Sequence, residues 1–260
     1  MNINVGKVVF PGWSSSLQLV REHGVDAAGH AAGVVKAPDL GARLDGAVRA
    51  LSSFDHALTS ARQLPVTWFV RGLGTYLTGY DAAKLAVELL VGSGLVPGAR
   101  ERVGRQELIA GREYLDTGVG VAREQQSRFG RALAGGWLSA AGEDTAVGAG
   151  MIARGTDTAR ALVDGVRTVQ AAVRGKRPVD PQLITRLHGM YDQLDAELGS
   201  RIEAESTPTI APFGPTAHRS DPGALALAQR VDALLAQTRQ SAEQLVRDTP
   251  TTVPDAEVVA

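Results

Sequence analysis

Five histidines and several paired carboxylates are the side chains in this 260-residue sequence with the chemistry to bind or catalyse. His23 and His30 lie nearly two helical turns apart, with Asp26 close to the same stripe. Imidazole nitrogens and carboxylate oxygens are metal donors, but a metal site needs a third partner and an oriented second shell. The pair is therefore read as polar residues on a surface rich in glycine and alanine. A concave polar site, if the chain is an enzyme, is expected around His23, His30 and Asp26. His56 follows Asp55, and neighbours in a helix do not face each other. His188 falls on a helix flank beside Leu187 and is expected to face solvent.

Asp192 with Asp195, and Glu203 with Glu205, are carboxylate pairs. General acid and base work requires two carboxyl groups in one cleft with separated pKa values. These pairs stand on helix flanks among basic residues and read as solvated. Glu101, Arg105, Glu107, Arg112 and Glu113 read as a mixed-charge helix surface. The sequence contains no phosphate-cradling P-loop, no His-Glu-x-x-His and no Gly-x-Ser-x-Gly. Gly72-Leu-Gly74 lacks the third glycine of a dinucleotide fingerprint. The absence of cysteine excludes disulfides, thiolate metal sites and a cysteine nucleophile. No catalytic residue, metal or cofactor is assigned, and a non-enzymatic protein is expected.

Tyr191 and Asp195 have a Tyr-x-x-x-Asp spacing that resembles the export motif of type VII secretion substrates. Those families pair it with a Trp-x-Gly turn, and neither Trp13, Trp68 nor Trp137 has glycine at the second following position. No family is assigned on this spacing.

Lys plus Arg number 27 and Asp plus Glu 28, a net charge of −1, which argues against a duplex-DNA binder built on many phosphate contacts. Apolar residues at 44% and charged residues at 21% belong to a globular chain. The N-terminal apolar stretch is short and broken by Pro11-Gly12, so no signal peptide is expected. The most apolar region, 64–98, holds Trp68, Phe69, Tyr76 and Tyr80 but is interrupted by Arg71, Asp81, Lys84 and Glu88. It reads as a buried pair of core helices, with membrane contact as the alternative and no spanning helix.

The elements that must position these groups are almost all helices. Apolar residues recur at steps of three, four and seven over 14–36, 39–63, 66–80, 82–91, 144–174, 183–202 and 225–245. The stretch 99–141 reads as one long helix or two collinear ones. Residues 3–10 read as a short strand or extended arm. The expected fold is mainly α: a multi-helix bundle with an N-terminal arm and two C-terminal amphipathic helices. The expected division is a helical body at 1–175, a two-helix segment at 176–248 with a proline-rich spacer at 206–223, and a mobile tail at 249–260.

Gly104, Gly111 and Gly118 are spaced by seven and so line one helical stripe. Each glycine costs a helix about 1 kcal/mol relative to alanine, which close helix contact would account for. The last helix presents Leu225, Val231, Leu234, Leu235 and Leu245. These glycines and this apolar stripe are the candidate interaction residues, and the last helix is expected to mediate assembly. The sequence thus suggests a non-enzymatic structural or assembly component of a larger complex, such as a phage-particle or secretion-machine subunit, with protein partners or self-association. A membrane-active helical effector using 64–98 and an enzyme without a visible motif are the alternatives.

Overall fold

Apolar residues at three- and four-residue steps give each helix one face to bury, and eight such faces are met among the described residues of a computed structural model of the chain. The structure describes residues 13–61, 66–124, 127–152, 156–206 and 222–249. The helices are α1 (Trp13–Val35), α2 (Leu40–Ala61), α3 (Val66–Gly92), α4 (Ala99–Glu124), α5 (Arg128–Met151), α6 (Asp157–Arg174), α7 (Pro181–Ser206) and α8 (Pro222–Asp248). No strand occurs among the described residues. The anticipated arm at 3–10, most of the proline-rich spacer and nearly all of the tail lie outside them.

Helix starts follow local capping chemistry. Asp39 accepts from the Ala42 amide at 2.8 Å, Ser127 from Gly130 at 2.9 Å and Thr156 from Ala159 at 3.2 Å, each satisfying an otherwise orphaned donor. Pro181 opens α7, where a missing amide proton costs nothing.

The helices pair into two closed rings. In the first bundle α1 packs on α2, α2 on α3, α3 on α8, and α8 back on α1. In the second α4 packs on α5, α5 on α6, α6 on α7, and α7 back on α4. The first bundle buries Phe54, Leu44, Leu90, Val231 and Leu235; the second buries Trp137, Tyr114, Leu115, Leu162 and Leu194. The bundles join chiefly through α2 against α4.

Several boundaries differ from the sequence reading. Residues 66–91 form one helix, because Asp81 sits on its exposed face rather than capping a second helix. The 99–141 stretch is not collinear: α4 stops at Glu124, Ser127 caps α5, and the two helices run antiparallel. Asp144 and Thr145 lie inside α5 rather than at the start of α6. The two C-terminal helices do not form a separate unit. α7 closes the second bundle and α8 closes the first, so the division at 175 cuts through both cores. Among the described residues no helix is long and apolar enough to cross a membrane.

The glycine stripe is a close helix contact within the chain. A Cβ at Gly104 would stand 2.5 Å from Met151 Cβ, at Gly111 3.0 Å from the Thr145 amide nitrogen, and at Gly118 2.7 Å from Leu138 Cγ. Gly148 answers from α5, where a Cβ would meet the Gly104 carbonyl oxygen at 2.8 Å. The small residues let the α4 and α5 backbones approach each other, which a Cβ on either side would prevent.

Candidate functional site

Where the bundles meet, α1, α2 and α4 enclose an open cleft of about 620 Å³. α1 contributes His23, Asp26 and His30; α2 contributes Arg49 and His56; α4 contributes Gln106, Glu113 and Asp116. The α1 residues recur at steps of three and four, and those of α4 at seven and three, so each helix turns one polar stripe toward the gap. His23, Asp26 and His30 are thus brought together as an enzyme reading requires, and they are joined by His56, which the sequence reading set aside, and by Glu113, which it took for part of a charged helix surface.

His56 is the most buried of these groups, with 4% of its surface exposed. Its Nδ1 lies 3.0 Å from the Ser52 carbonyl oxygen one turn earlier. A carbonyl only accepts, so Nδ1 carries the proton and Nε2 is left as a bare lone pair. That Nε2 is buried and has no hydrogen-bond partner; Glu113 Oε2 stands 3.7 Å away. Burial, reinforced by His23, pushes His56 down to about 3. Burial also lowers His23, against the pull of Asp26 and Glu22. It lowers His30 as well, where Arg49 adds to the effect. Desolvation against the cleft wall raises the Glu113 carboxyl, and the charges of Asp26 and Asp116 raise it further. At neutral pH the histidines are neutral acceptors set among carboxylates.

Aromatic rings continue inward from the cleft. His23 stacks on His56 with centroids 4.8 Å apart, His56 on Tyr114 at 3.9 Å, and Tyr114 tilts onto Trp137 at 5.4 Å. The Tyr114 hydroxyl donates to Asp55 Oδ2 at 2.5 Å. Beyond it lies a second titratable group, at the junction of α2, α4 and α5. Burial and then the Asp55 charge push Glu107 up to about 7. Burial, then Glu107 and Asp55, push Asp144 up to about 8. Glu107 is therefore not the solvated surface charge its spacing suggested. Among the described residues no group of three or more histidines and carboxylates is arranged to hold a metal ion.

The polar candidates at 188–195 are structural. Arg105 holds Asp195 through two bonds of 2.7 and 2.9 Å, Arg112 holds Asp192 at 2.5 Å, and Asp116 accepts from His188 Nε2 at 2.7 Å. These pairs step along the antiparallel α4–α7 seam, so the Asp192 and Asp195 carboxylates are fastened across a helix interface. His188 is tied into the same seam rather than left facing solvent. The Tyr191 hydroxyl is hydrogen-bonded to Thr145 Oγ1 inside the second bundle. The interaction candidates are mostly internal too. Gly104, Gly111 and Gly118 are buried against α5, and Val231, Leu235 and Leu245 are buried within the first bundle. Leu234 packs at the edge of that core, and Leu225 is 56% exposed.

No family model, curated protein or solved structure matches the chain.

Proposed function

We propose that the protein is a non-enzymatic helical component that works by docking, and that its docking point is the cleft between the bundles. The group it receives is a cationic hydrogen-bond donor, the ammonium or guanidinium of a partner protein's lysine or arginine. The observation that carries this reading is the buried, unpartnered Nε2 of His56 facing Glu113. A buried acceptor without a donor costs about 1–3 kcal/mol, a cost that an incoming N–H removes. Asp26, Glu113 and Asp116 line the same cleft and favour a donor that carries positive charge. The helix stripes are occupied within the chain, so the recess is a more specific feature for a partner than any helix face.

The test is calorimetric titration of the full chain with argininamide and with spermidine. Saturable binding of at least one probe, lost in both His56→Phe and Glu113→Gln, is the expected result. Absence of binding by both probes, or binding that survives both substitutions, overturns the reading.

A catalytic reading draws on the same lone pair, which is free to accept a proton, although a histidine pushed down to about 3 is a weak general base at neutral pH. Turnover of a substrate that disappears in His56→Phe, without cation binding, would favour it over docking.

A further inference from the structure

At one end of the second bundle, where α4 and α6 stop and α5 and α7 begin, a cavity of about 420 Å³ opens. Arg123 of α4, Arg131 of α5, and Lys176 and Arg177 of the α6–α7 turn line it, over an apolar floor that includes Val173 and Val179. Among the described residues no Asp or Glu lines it. In a chain of net charge −1, this places four cations around one recess.

Helix dipoles account for part of this arrangement. Arg123 stands in the last turn of α4, and Lys176 and Arg177 follow the end of α6, where the negative pole favours cations. Arg131 reaches the same recess from the first turn of α5.

The turn adds a second observation. The Arg177 amide donates to the Ala172 carbonyl at 2.8 Å and the Lys176 amide to Val173 at 3.1 Å. This is the helix-ending motif whose left-handed position glycine normally fills. Here that position is Lys176, with φ 56°, the one non-glycine residue of positive φ among the described residues. Gly175 precedes it and does not occupy that position. A lysine is thus held in a glycine conformation at the rim of a cavity already lined by arginines.

We infer that this cavity binds the phosphate moiety of a small phosphorylated molecule. Arginine forks pair bidentately with phosphate oxygens, and Arg123, Lys176 and Arg177 bring two such forks and an ammonium to one recess. The volume is that of an ordinary small-ligand pocket. The inference is independent of the histidine cleft.

The experiment is calorimetry of the full chain with sodium pyrophosphate and with inorganic phosphate, at matched ionic strength, beside a sedimentation assay with phosphatidylglycerol vesicles. Pyrophosphate is expected to bind saturably at one site, less tightly as salt is raised. Arg123→Gln and Arg177→Gln should each weaken it at least tenfold. Lys176→Gly should weaken it as well while leaving the thermal midpoint unchanged or higher, because glycine suits this conformation. Affinity for pyrophosphate no greater than for chloride, or unaltered in all three variants, overturns the proposal. Binding to vesicles with none to pyrophosphate overturns it too, in favour of a lipid surface.

Discussion

The imidazole of His56 lies on the ring of Tyr114 with centroids 3.9 Å apart and 28° between the planes. Asp55, the preceding residue of α2, accepts the Tyr114 hydroxyl. Two consecutive residues of the first bundle therefore engage one tyrosine of the second, at its face and at its edge. The junction is held by polar and aromatic contact, and the unpartnered nitrogen of His56 is part of that contact.

Replacing that imidazole separates ring packing from the orphaned acceptor. His56→Phe keeps a flat ring beside Tyr114 and removes the unpartnered Nε2. It should be at least as stable as the native chain, and up to about 1 kcal/mol more so. His56→Ala leaves a void and should cost about 2–4 kcal/mol. Urea unfolding distinguishes the two. Equal losses would mean that the nitrogen is already satisfied.

The glycines of α4 should respond according to what their missing Cβ would strike. At Gly111 the obstacle includes the Thr145 backbone nitrogen, and at Gly104 it is Met151 Cβ, an atom that moves only with its own backbone. Gly111→Ala and Gly104→Ala should each lose about 1–3 kcal/mol despite alanine's better helix propensity. Gly136→Ala, with nothing within 4 Å, should gain about 0.5–1 kcal/mol. Thermal midpoints should place the first two variants below the native chain and the third above it.

The pH dependence follows from the groups flanking Tyr114. Glu107 rises from 4.5 to about 7 and Asp144 from 3.8 to about 8 on folding, so the folded chain keeps protons that the unfolded chain releases. Their contribution to stability therefore falls as pH rises from about 4 to 8. His56 falls from 6.5 to about 3, so its contribution is lost as pH falls through that window. Above pH 6.5 only the two carboxyls, of these three groups, still act. Glu107→Gln and Asp144→Asn should each raise stability at pH 8 by about 1–2 kcal/mol, allowing for their partial exposure, and change it little at pH 4.5. Denaturation at both pH values checks the difference.

The helices themselves were legible because their signals are local. The stretch 39–63, opened by Asp39 and stopped before Pro65, falls within two residues of Leu40–Ala61 at each end. The break between α4 and α5 was not legible, because the sequence between Glu124 and Arg128 contains neither glycine nor proline. The cleft was half legible. His23, Asp26 and His30 share a stripe of one helix, but His56 and Glu113 reach them only through the α2–α4 crossing, which periodicity does not encode. The one available sign for His56 was its place among Phe54, Ala57 and Leu58 on the apolar run of α2. The partner of each helix was equally hidden, since an apolar stripe specifies burial and not the surface that buries it.

Ending the chain after Ser206 tests the placement of α8. The loss of α8 uncovers Leu44, Phe54 and Leu90 in the first bundle and leaves the second whole. The truncated chain should lose a large part of its helical circular dichroism and aggregate. Limited proteolysis should still leave a protected fragment close to 99–206. Protection of 13–92 in the truncated chain would show instead that three helices suffice.

The ring closed by α8 also sets an order of events during synthesis. The second bundle is contiguous in sequence, so all four of its helices are available once α7 has emerged from the ribosome. The first bundle is interrupted by it, and its fourth wall is the last of the eight described helices to be made. Until then α1, α2 and α3 must wait with one flank uncovered, over a sequence separation that makes closure slow. The half of the protein translated first is thus the half that matures last, and it is where a chaperone would find exposed apolar surface.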